Sequence, residues 1–282
     1  MNQIKDAMRI KDARRIVVKV GTSTLTHDTG KTNLRIVGRL AAVLSDLRNA
    51  GREVVLVSSG ALAVGVQSLG LRRRPHDTPS RQAAAAVGQC ELMFLYGKCF
   101  GEYGNTVGQL LLTRGDFTRE DRRENLLNTF TRLLALGAIP VVNENDSVST
   151  EEIEGMHFGD NDNLSALVAK LIQADALIFF TDTDGLYTAN PAGNDDARLI
   201  PVVPEVTDEI LALGGASGSS RGTGGMATKL EAAKTATEAG IDAVIMNGAV
   251  PEDLYQLMDG RQIGTWFKRQ EAGSGVTRDA QA

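Results

Sequence analysis

The sequence has few of the residues on which metal centres, disulfide frameworks and nucleophilic triads depend. Its 282 residues contain 3 histidines and only 2 cysteines, Cys90 and Cys99. The cysteine spacing fits neither a metal clamp nor a redox pair, so we interpret both as reduced thiols in a helix. No histidine accompanies a serine or cysteine in a nucleophile arrangement, which argues against a hydrolase of the triad type.

Long apolar runs and basic clusters are also scarce. No apolar stretch approaches membrane-spanning length, and residues 1–14 lack the apolar segment of a signal peptide. The net charge is -5 and the one basic run is Arg72-Arg73-Arg74, so no cationic face for nucleic acid is predicted. Hydrophobic residues at 42% and charged residues at 23% are typical of globular enzymes. We expect a cytoplasmic protein without membrane or nucleic-acid partners.

Short apolar segments alternate with longer segments of helical period, a pattern typical of α/β proteins. The predicted strands are 16–20, 54–57, 106–112, 139–143, 176–181 and 243–246. The predicted helices are 34–47, 59–69, 80–103, 121–136, 160–172 and 226–239. The helix over 80–103 is apolar on much of its surface, so it is either buried or an oligomer interface.

These elements predict an open, mainly parallel β-sheet sandwiched between helices, an α/β/α arrangement. We expect an N-terminal extension over 1–14, one domain over 15–267 and a flexible tail over 268–282. Alternating short polar and apolar residues over 151–158 predict a surface hairpin inserted between sheet strands.

Two lysines lie beside glycine-bearing loops. Lys19 ends the first strand just before Gly21, where the backbone can approach a phosphate. Lys229 lies one turn into a helix that follows Gly222-Thr223-Gly224-Gly225, so N–H groups and a cation meet there. Neither loop is a Walker A motif, and no G-x-G-x-x-G follows the first strand. Taken alone, the loop after Lys19 is more often a Gly-Thr-Ser turn beside a lysine than a phosphate site.

Clusters of acids and amides follow the fourth predicted strand and open the next helix. They read Asn143-Glu144-Asn145-Asp146 and Gly159-Asp160-Asn161-Asp162-Asn163. Capping and turn formation account for one or two of these residues but not for both clusters. Beyond the carboxyl ends of strands, they suit a ligand that carries an ammonium group and carboxylates. Binding of a divalent cation is the alternative, since hard cations take oxygen ligands.

Two shorter motifs follow other strands. Ser58-Ser59-Gly60-Ala61 follows the second strand, where a serine either caps the next helix or faces an anion. Thr181-Asp182 ends the fifth strand and is either a simple turn or part of a ligand site. A carboxylate that accepts a phosphoryl group is already ionised at neutral pH. Transfer of the phosphoryl group to it would therefore need positioning and charge neutralisation rather than a general base.

Over about residues 15–267 these motifs resemble the amino acid kinase family, most specifically its branch that acts on glutamate. The resemblance rests on residues 18–23, 58–61, 143–146 and 159–166. It implies ATP-dependent phosphorylation of the 5-carboxylate of L-glutamate to L-glutamyl 5-phosphate, the first step of proline biosynthesis. It also implies Mg²⁺ with the ATP, feedback inhibition by proline, a homo-oligomer and transfer of the labile product to glutamyl phosphate reductase.

The resemblance also implies roles for individual residues. Lys19 and Lys229 would neutralise the phosphates, with both lysines oriented by Asp162. Glutamate would be held by Ser59, Asp146 and Asn161. The residues expected to hold ATP are Lys19, Thr181, Asp182, Thr223, Gly224, Gly225, Met226, Ala227, Thr228 and Lys229. No metal-ligating side chain is predicted, and the C-terminal PUA domain of longer members is expected to be absent.

Three other functions stay open on the sequence. A related kinase could use a different acceptor, and a non-catalytic sensor could bind an amino acid with the lysines in a structural role. A nicotinamide-dependent dehydrogenase is less favoured, because the glycine pattern of dinucleotide-binding loops is missing after the first strand.

Overall fold

The computed structural model describes residues 9–148, 161–191, 193–215 and 225–271 of the protein. An 8-stranded sheet runs through this part of the chain. Its strands are β1 (Arg15–Val20), β2 (Glu53–Ser58), β3 (Val107–Leu112), β4 (Ile139–Glu144), β5 (Ala176–Thr181), β6 (Val202–Val203), β7 (Asp242–Asn247) and β8 (Thr265–Phe267). Their order is β3-β4-β2-β1-β5-β7-β8-β6. Neighbouring strands are parallel except β7 and β8. The predicted mainly parallel sheet is confirmed.

The six predicted strands are present within one residue of their expected bounds. The apolar segments of β1, β2, β4, β5 and β7 are buried on both faces, as parallel strands covered by helices on both sides require. The edge strand β3 is only partly buried. The additional strands β6 and β8 have 2 and 3 residues. Segments of this length are too short to show a strand period in the sequence.

Helices cover both faces of the sheet. They are α1 (Thr22–Leu25), α2 (Leu34–Asn49), α3 (Ala61–Ser68), α4 (Thr78–Gly101), α5 (Gly115–Thr118), α6 (Glu120–Ala135), α7 (Asn161–Leu171), α8 (Asp208–Leu213), α9 (Met226–Glu238) and α10 (Asp253–Met258). Each predicted helix has a counterpart, whereas α1, α5, α8 and α10 were not predicted because they have 4 to 6 residues. None of the described helices has the length and apolar character needed to cross a membrane.

Alternation along β1 sends its side chains into two separate cores. Ile16 and Val18 join the core beneath α2, α3, α4 and α10. Val17 joins the core beneath α6, α7 and α9. Because side chains two apart on a strand share a face, Lys19 points toward the same side as Val17. The central strand therefore directs Lys19 toward α7 and α9.

Helix α4 buries one part of its surface and exposes another, so the prediction of a buried helix holds for part of the 80–103 segment, and the oligomer interface stays a prediction. It begins at Thr78 because the side chain of Asp77 accepts a hydrogen bond from the Ser80 N–H at 2.9 Å. Its buried residues are Ala84, Ala85, Gly88, Gln89, Leu92, Tyr96 and Phe100. Val87 and Phe94 lie on the exposed side.

Residues from both predicted terminal segments pack on the domain. Ile10 and Ala13 belong to the core beneath α2. The Lys268 N–H donates to the Val203 carbonyl, and the Gln270 N–H donates to the Thr237 carbonyl. The predicted hairpin over 151–158 and residues 272–282 of the predicted tail lie outside the described residues.

Helices α3 and α4 cross with their backbones in contact. A Cβ atom on Gly65 would overlap the Ala84 carbonyl, and one on Gly88 would overlap the Ala61 carbonyl. A side chain at either position would force the helices apart, so the crossing depends on both glycines. This packing holds α4 beneath the ends of β2 and β4.

The crossing can be tested with two substitutions in α4. We expect Gly88→Ala to lower the free energy of unfolding by about 1–3 kcal/mol, because the added methyl group meets backbone atoms. Gly97→Ala is the control, since a Cβ there meets nothing within 4 Å, and it should leave stability unchanged or raise it by up to about 1 kcal/mol. Urea unfolding of both variants measures the difference. Equal effects would show that the helices do not depend on this contact.

Candidate active site

A buried carboxylate joins the two lysines singled out in the sequence. The Nζ atom of Lys19 lies 2.6 Å from Oδ1 of Asp162, and that of Lys229 lies 3.1 Å from Oδ2. The side chains of Lys19, Asp162 and Lys229 are 4%, 0% and 8% exposed. They come from β1, α7 and α9, three elements that meet at the carboxyl end of the sheet. Each oxygen of the carboxylate thus faces its own ammonium group.

Opposing effects act on the ionisation of Asp162. Burial disfavours the charged form and would raise its pKa, but the charges and hydrogen bonds of Lys19 and Lys229 outweigh burial. The result is a pKa lowered from 3.8 to about 2. Asp162 therefore stays ionised at neutral pH and keeps the lysines in place.

The start of α9 lies beside this carboxylate. Thr228 donates a hydrogen bond from Oγ1 to Oδ2 of Asp162 at 2.9 Å, and the same hydroxyl lies 2.9 Å from the Gly225 carbonyl. No described side chain caps the helix at Gly225. Its first N–H groups, including that of Met226, are available to an anion. Thr223 and Gly224, which precede them, lie outside the described residues.

The loop after β1 leaves room above Lys19. A Cβ atom on Gly21 would lie 3.8 Å from the Lys19 Nζ atom and 3.8 Å from the Ser23 Oγ atom. Glycine keeps this space open at ordinary backbone angles, with φ at -84°. A phosphate oxygen can approach the ammonium group through the same space.

On the other side of Asp162 lies a cavity of ≈ 620 Å³. Its lining includes the three residues predicted to hold glutamate, Ser59, Asp146 and Asn161. Asn143, which the sequence singled out only as part of a motif, also lines it. The volume lies in the range of small-molecule sites.

The Asn161 amide connects the cavity walls. Its Nδ2 atom lies 3.0 Å from Ser59 Oγ, 2.9 Å from Asn143 Oδ1 and 3.4 Å from the Ser58 carbonyl oxygen. Ser59 does not cap α3, because Gly60 takes the N-cap position with a left-handed φ of 100° and no side-chain cap. Capping by Ser59 is therefore wrong, and its role toward an anion stays a prediction.

The mouth of the cavity is basic. Lys31, Arg72 and Arg73 line it and are exposed, and the acidic residues Asp28 and Asp146 line it too. The sequence showed the arginines only as a short basic run, since nothing local relates them to the serine motif. Their charge suits an anionic ligand.

A polar cluster occupies the ends of β5 and β7. Thr181 donates from Oγ1 to Oδ1 of Asp182 at 3.1 Å. Asp184 accepts from Asn247 Nδ2 at 2.8 Å and from the Tyr187 hydroxyl at 3.2 Å. Asp184 and Tyr187 lie in the segment that directly follows the fifth predicted strand, whereas nothing in the local sequence indicates Asn247, because β7 lies far from β5 along the chain. They adjoin the predicted nucleotide side of the site.

The fold is that of known small-molecule kinases. It resembles the UMP kinase of Bacillus anthracis with a TM-score of 0.61 and 15% identity, covering 92% of this chain and 97% of that one. It resembles the isopentenyl phosphate kinase of T. acidophilum with a TM-score of 0.62 and 18% identity, covering 90% and 100%. At these identities the likeness defines the fold class only.

The sequence profile of the Amino acid kinase family matches residues 14–247, and the chain belongs to this family. The glutamate 5-kinase of Clostridium perfringens is 52% identical over 259 residues, which are 92% of this chain and 96% of that protein. That of Listeria monocytogenes is 51% identical over 265 residues, covering 93% and 96%. That of Moorella thermoacetica is 51% identical over 271 residues, covering 96% and 71%. The family resemblance is confirmed.

Removing the charge of Asp162 tests the lysine arrangement. We expect Asp162→Asn to lower the free energy of unfolding at pH 7 by about 3–5 kcal/mol, because two buried ammonium groups lose their counter-charge. The exposed Asp195 provides a control, and Asp195→Asn should leave stability nearly unchanged.

The pH dependence of this effect has a defined sign. A carboxylate with a folded-state pKa of about 2 stabilises the protein above its unfolded pKa of about 3.9 and loses that effect as the pH falls toward 2. The stability difference between wild type and Asp162→Asn should therefore shrink between about pH 4 and pH 2. Urea unfolding across this range measures it, and a constant difference would contradict the assignment.

Proposed function

We propose that this chain is a glutamate 5-kinase, which transfers the terminal phosphoryl group of ATP to the 5-carboxylate of L-glutamate. Relatives of that name are 52% and 51% identical over 92% and 93% of the chain. One observation carries the proposal. The consecutive residues Asn161 and Asp162 serve different halves of the site, since Asn161 lines the cavity and Asp162 binds both lysines. An amino acid in the cavity would thus lie next to the phosphate-neutralising groups.

The groups around Asp162 suit the phosphates of ATP. Two ammonium groups against one carboxylate leave one positive charge in excess, next to the uncapped start of α9. Fixed positive groups of this kind stabilise the charge that develops on a transferring phosphoryl group. Thr181 and Asp182 at the end of β5 would contact the rest of the nucleotide.

Magnesium would reach the site together with ATP. Within the described residues no group of three or more His, Cys, Asp or Glu side chains could hold a metal ion. Mg²⁺ is commonly bound through substrate phosphates and one or two carboxylates, so this residue set fits an ion carried by the nucleotide. When bound, the ion neutralises phosphate charge.

The reaction needs no proton transfer. An oxygen of the glutamate 5-carboxylate forms a bond to the terminal phosphorus as the bond from that phosphorus to the bridging oxygen of ADP breaks. Because the acceptor is already ionised, the chain has to orient it, exclude water and neutralise charge. Lys19 and Lys229 supply that neutralisation, while Ser59, Asp146 and Asn161 would orient the amino acid.

Further properties remain predictions of the family resemblance. They are feedback inhibition by proline, a homo-oligomeric state, a cytoplasmic location and transfer of L-glutamyl 5-phosphate to glutamyl phosphate reductase. The last has a chemical motive, because an acyl phosphate hydrolyses in water and must be consumed soon after it forms.

The activity is tested by trapping its product. With MgATP, L-glutamate and hydroxylamine, we expect glutamyl hydroxamate and ADP in equal amounts. The proposal is wrong if no hydroxamate forms while aspartate, acetylglutamate or UMP stimulates ATP consumption. A protein that binds L-glutamate but consumes no ATP with any acceptor would be a sensor.

The role of Lys229 can be separated from a structural one. We expect Lys229→Ala to lower kcat by about 10²- to 10³-fold, as for loss of one preorganised group that stabilises developing charge. The KM for glutamate should change little, because Lys229 is not part of the cavity lining. Lys234→Ala, in the same helix and without a contact to Asp162, is the control. Unchanged turnover in Lys229→Ala would contradict the assignment.

A further inference from the structure

The orientation of the Asn143 amide is set by a backbone group. Its Oδ1 atom accepts the N–H of Glu144 at 2.8 Å, and a backbone N–H can only donate. The other end of the amide is therefore the NH₂ group. That group donates to Oε1 of Gln89 at 2.8 Å. Asn143 is 3% exposed and Gln89 is 8% exposed, so this hydrogen bond is buried.

The fixed Asn143 amide in turn orients Asn161. Asn143 Oδ1 and the Ser58 carbonyl oxygen are both acceptors, so the atom of Asn161 that faces them is the donor Nδ2. The acceptor Oδ1 must then point the opposite way. The Glu144 N–H, acting through Asn143, and the Ser58 carbonyl thus determine which end of the Asn161 amide is turned away from the protein acceptors, and the hydrogen bond from Asn143 to Gln89 supports this orientation.

The Oδ1 atom of Asn161 is buried and has no hydrogen-bond partner among the described residues. A buried acceptor without a donor is unfavourable, and native proteins rarely keep one without a reason. Asn161 lines the cavity. An ammonium group has three donors and no acceptor, so it matches this atom and would be repelled by the NH₂ end of the amide.

A packing role alone does not account for Gln89. It lies on the buried face of α4 with Ala85, Leu92 and Tyr96, where an apolar side chain would pack as well. It is absent from the cavity lining. In the described part of the chain, its side chain has one hydrogen bond, which is the one to Asn143. Its amide is explained by the need to hold Asn143.

We propose that Gln89 is a positioning residue, which acts through Asn143 to turn Oδ1 of Asn161 toward the substrate's ammonium group and so selects amino acids over plain dicarboxylates. The inference rests on the proposed function, and it assigns part of the selectivity for the substrate to a residue outside the cavity lining. Without the Gln89 acceptor, the Asn143 NH₂ group would be buried and unpaired. The Glu144 N–H would then be the only one of these two groups left to hold the Asn143 amide, so Asn143, and with it Asn161, would be less firmly oriented.

The test compares two ligands that differ only in the amino group. Glutarate carries both carboxylates of glutamate but no ammonium group. For Gln89→Met, which keeps the length but removes the acceptor, we expect the KM for L-glutamate to rise about 10- to 100-fold. The inhibition constant of glutarate and the KM for ATP should stay unchanged.

Two further variants complete the experiment. Gln89→Glu keeps an acceptor in place and should restore most of the preference for glutamate over glutarate. Gln256→Met is the matched control, because Gln256 lies on α10 and binds Asp253 instead of the site; its constants should equal those of wild type. If Gln89→Met does not fold, Gln89→Ser removes the same acceptor without adding apolar bulk.

The outcomes separate this inference from the proposed function. If wild type forms glutamyl hydroxamate and Gln89→Met loses stability but keeps the ratio of the glutamate and glutarate constants, Gln89 is only structural and the inference is wrong. If wild type forms no glutamyl hydroxamate, the proposed function itself fails. A ratio that falls in Gln89→Met and returns in Gln89→Glu supports both.

Discussion

The site depends on one buried ionic interaction. Asp162 is 0% exposed, and its two oxygens lie 2.6 Å and 3.1 Å from the ammonium groups of Lys19 and Lys229. A carboxylate removed from water is tolerated only when it is paired and hydrogen-bonded. The three residues therefore fix β1, α7 and α9 relative to one another. A movement of any of these elements would displace a positive charge from the proposed phosphate position.

The same interaction divides the site into two halves. Asp162 faces the lysines and the start of α9, while its neighbour Asn161 lines the cavity proposed for the amino acid. A shift of α7 would disturb both halves together, which couples acceptor position to phosphate neutralisation. Since a carboxylate acceptor needs no base, the site can do without a histidine or other proton acceptor. Fixed charges and amide orientation provide what the proposed chemistry requires.

Local patterns in the sequence predicted part of the site. The apolar, β-branched pattern predicted β1 with Lys19 near its end, and the glycines before α9 indicated a site for phosphate. Gln89 could not be found in this way, because it lies in an alanine-rich helix and meets Asn143 across 54 residues. The predicted start of the second helix at Ser59 was wrong, since the left-handed Gly60 delays the helix to Ala61. The contact between Gln89 and Asn143 arises from packing between segments that are far apart in the sequence, so no periodic pattern in the sequence indicates it.

The central claim is that the 5-carboxylate of glutamate attacks the terminal phosphorus of ATP, and an isotope experiment tests it most directly. L-glutamate labelled with ¹⁸O in the 5-carboxylate is incubated with MgATP and hydroxylamine, and the released phosphate is analysed by mass spectrometry. Hydroxylamine attacks the carbonyl carbon of the acyl phosphate, so the carboxylate oxygen leaves with the phosphate. We predict one ¹⁸O atom in each phosphate released with hydroxamate. Phosphate without ¹⁸O would mean that water attacked ATP, and it would contradict the account.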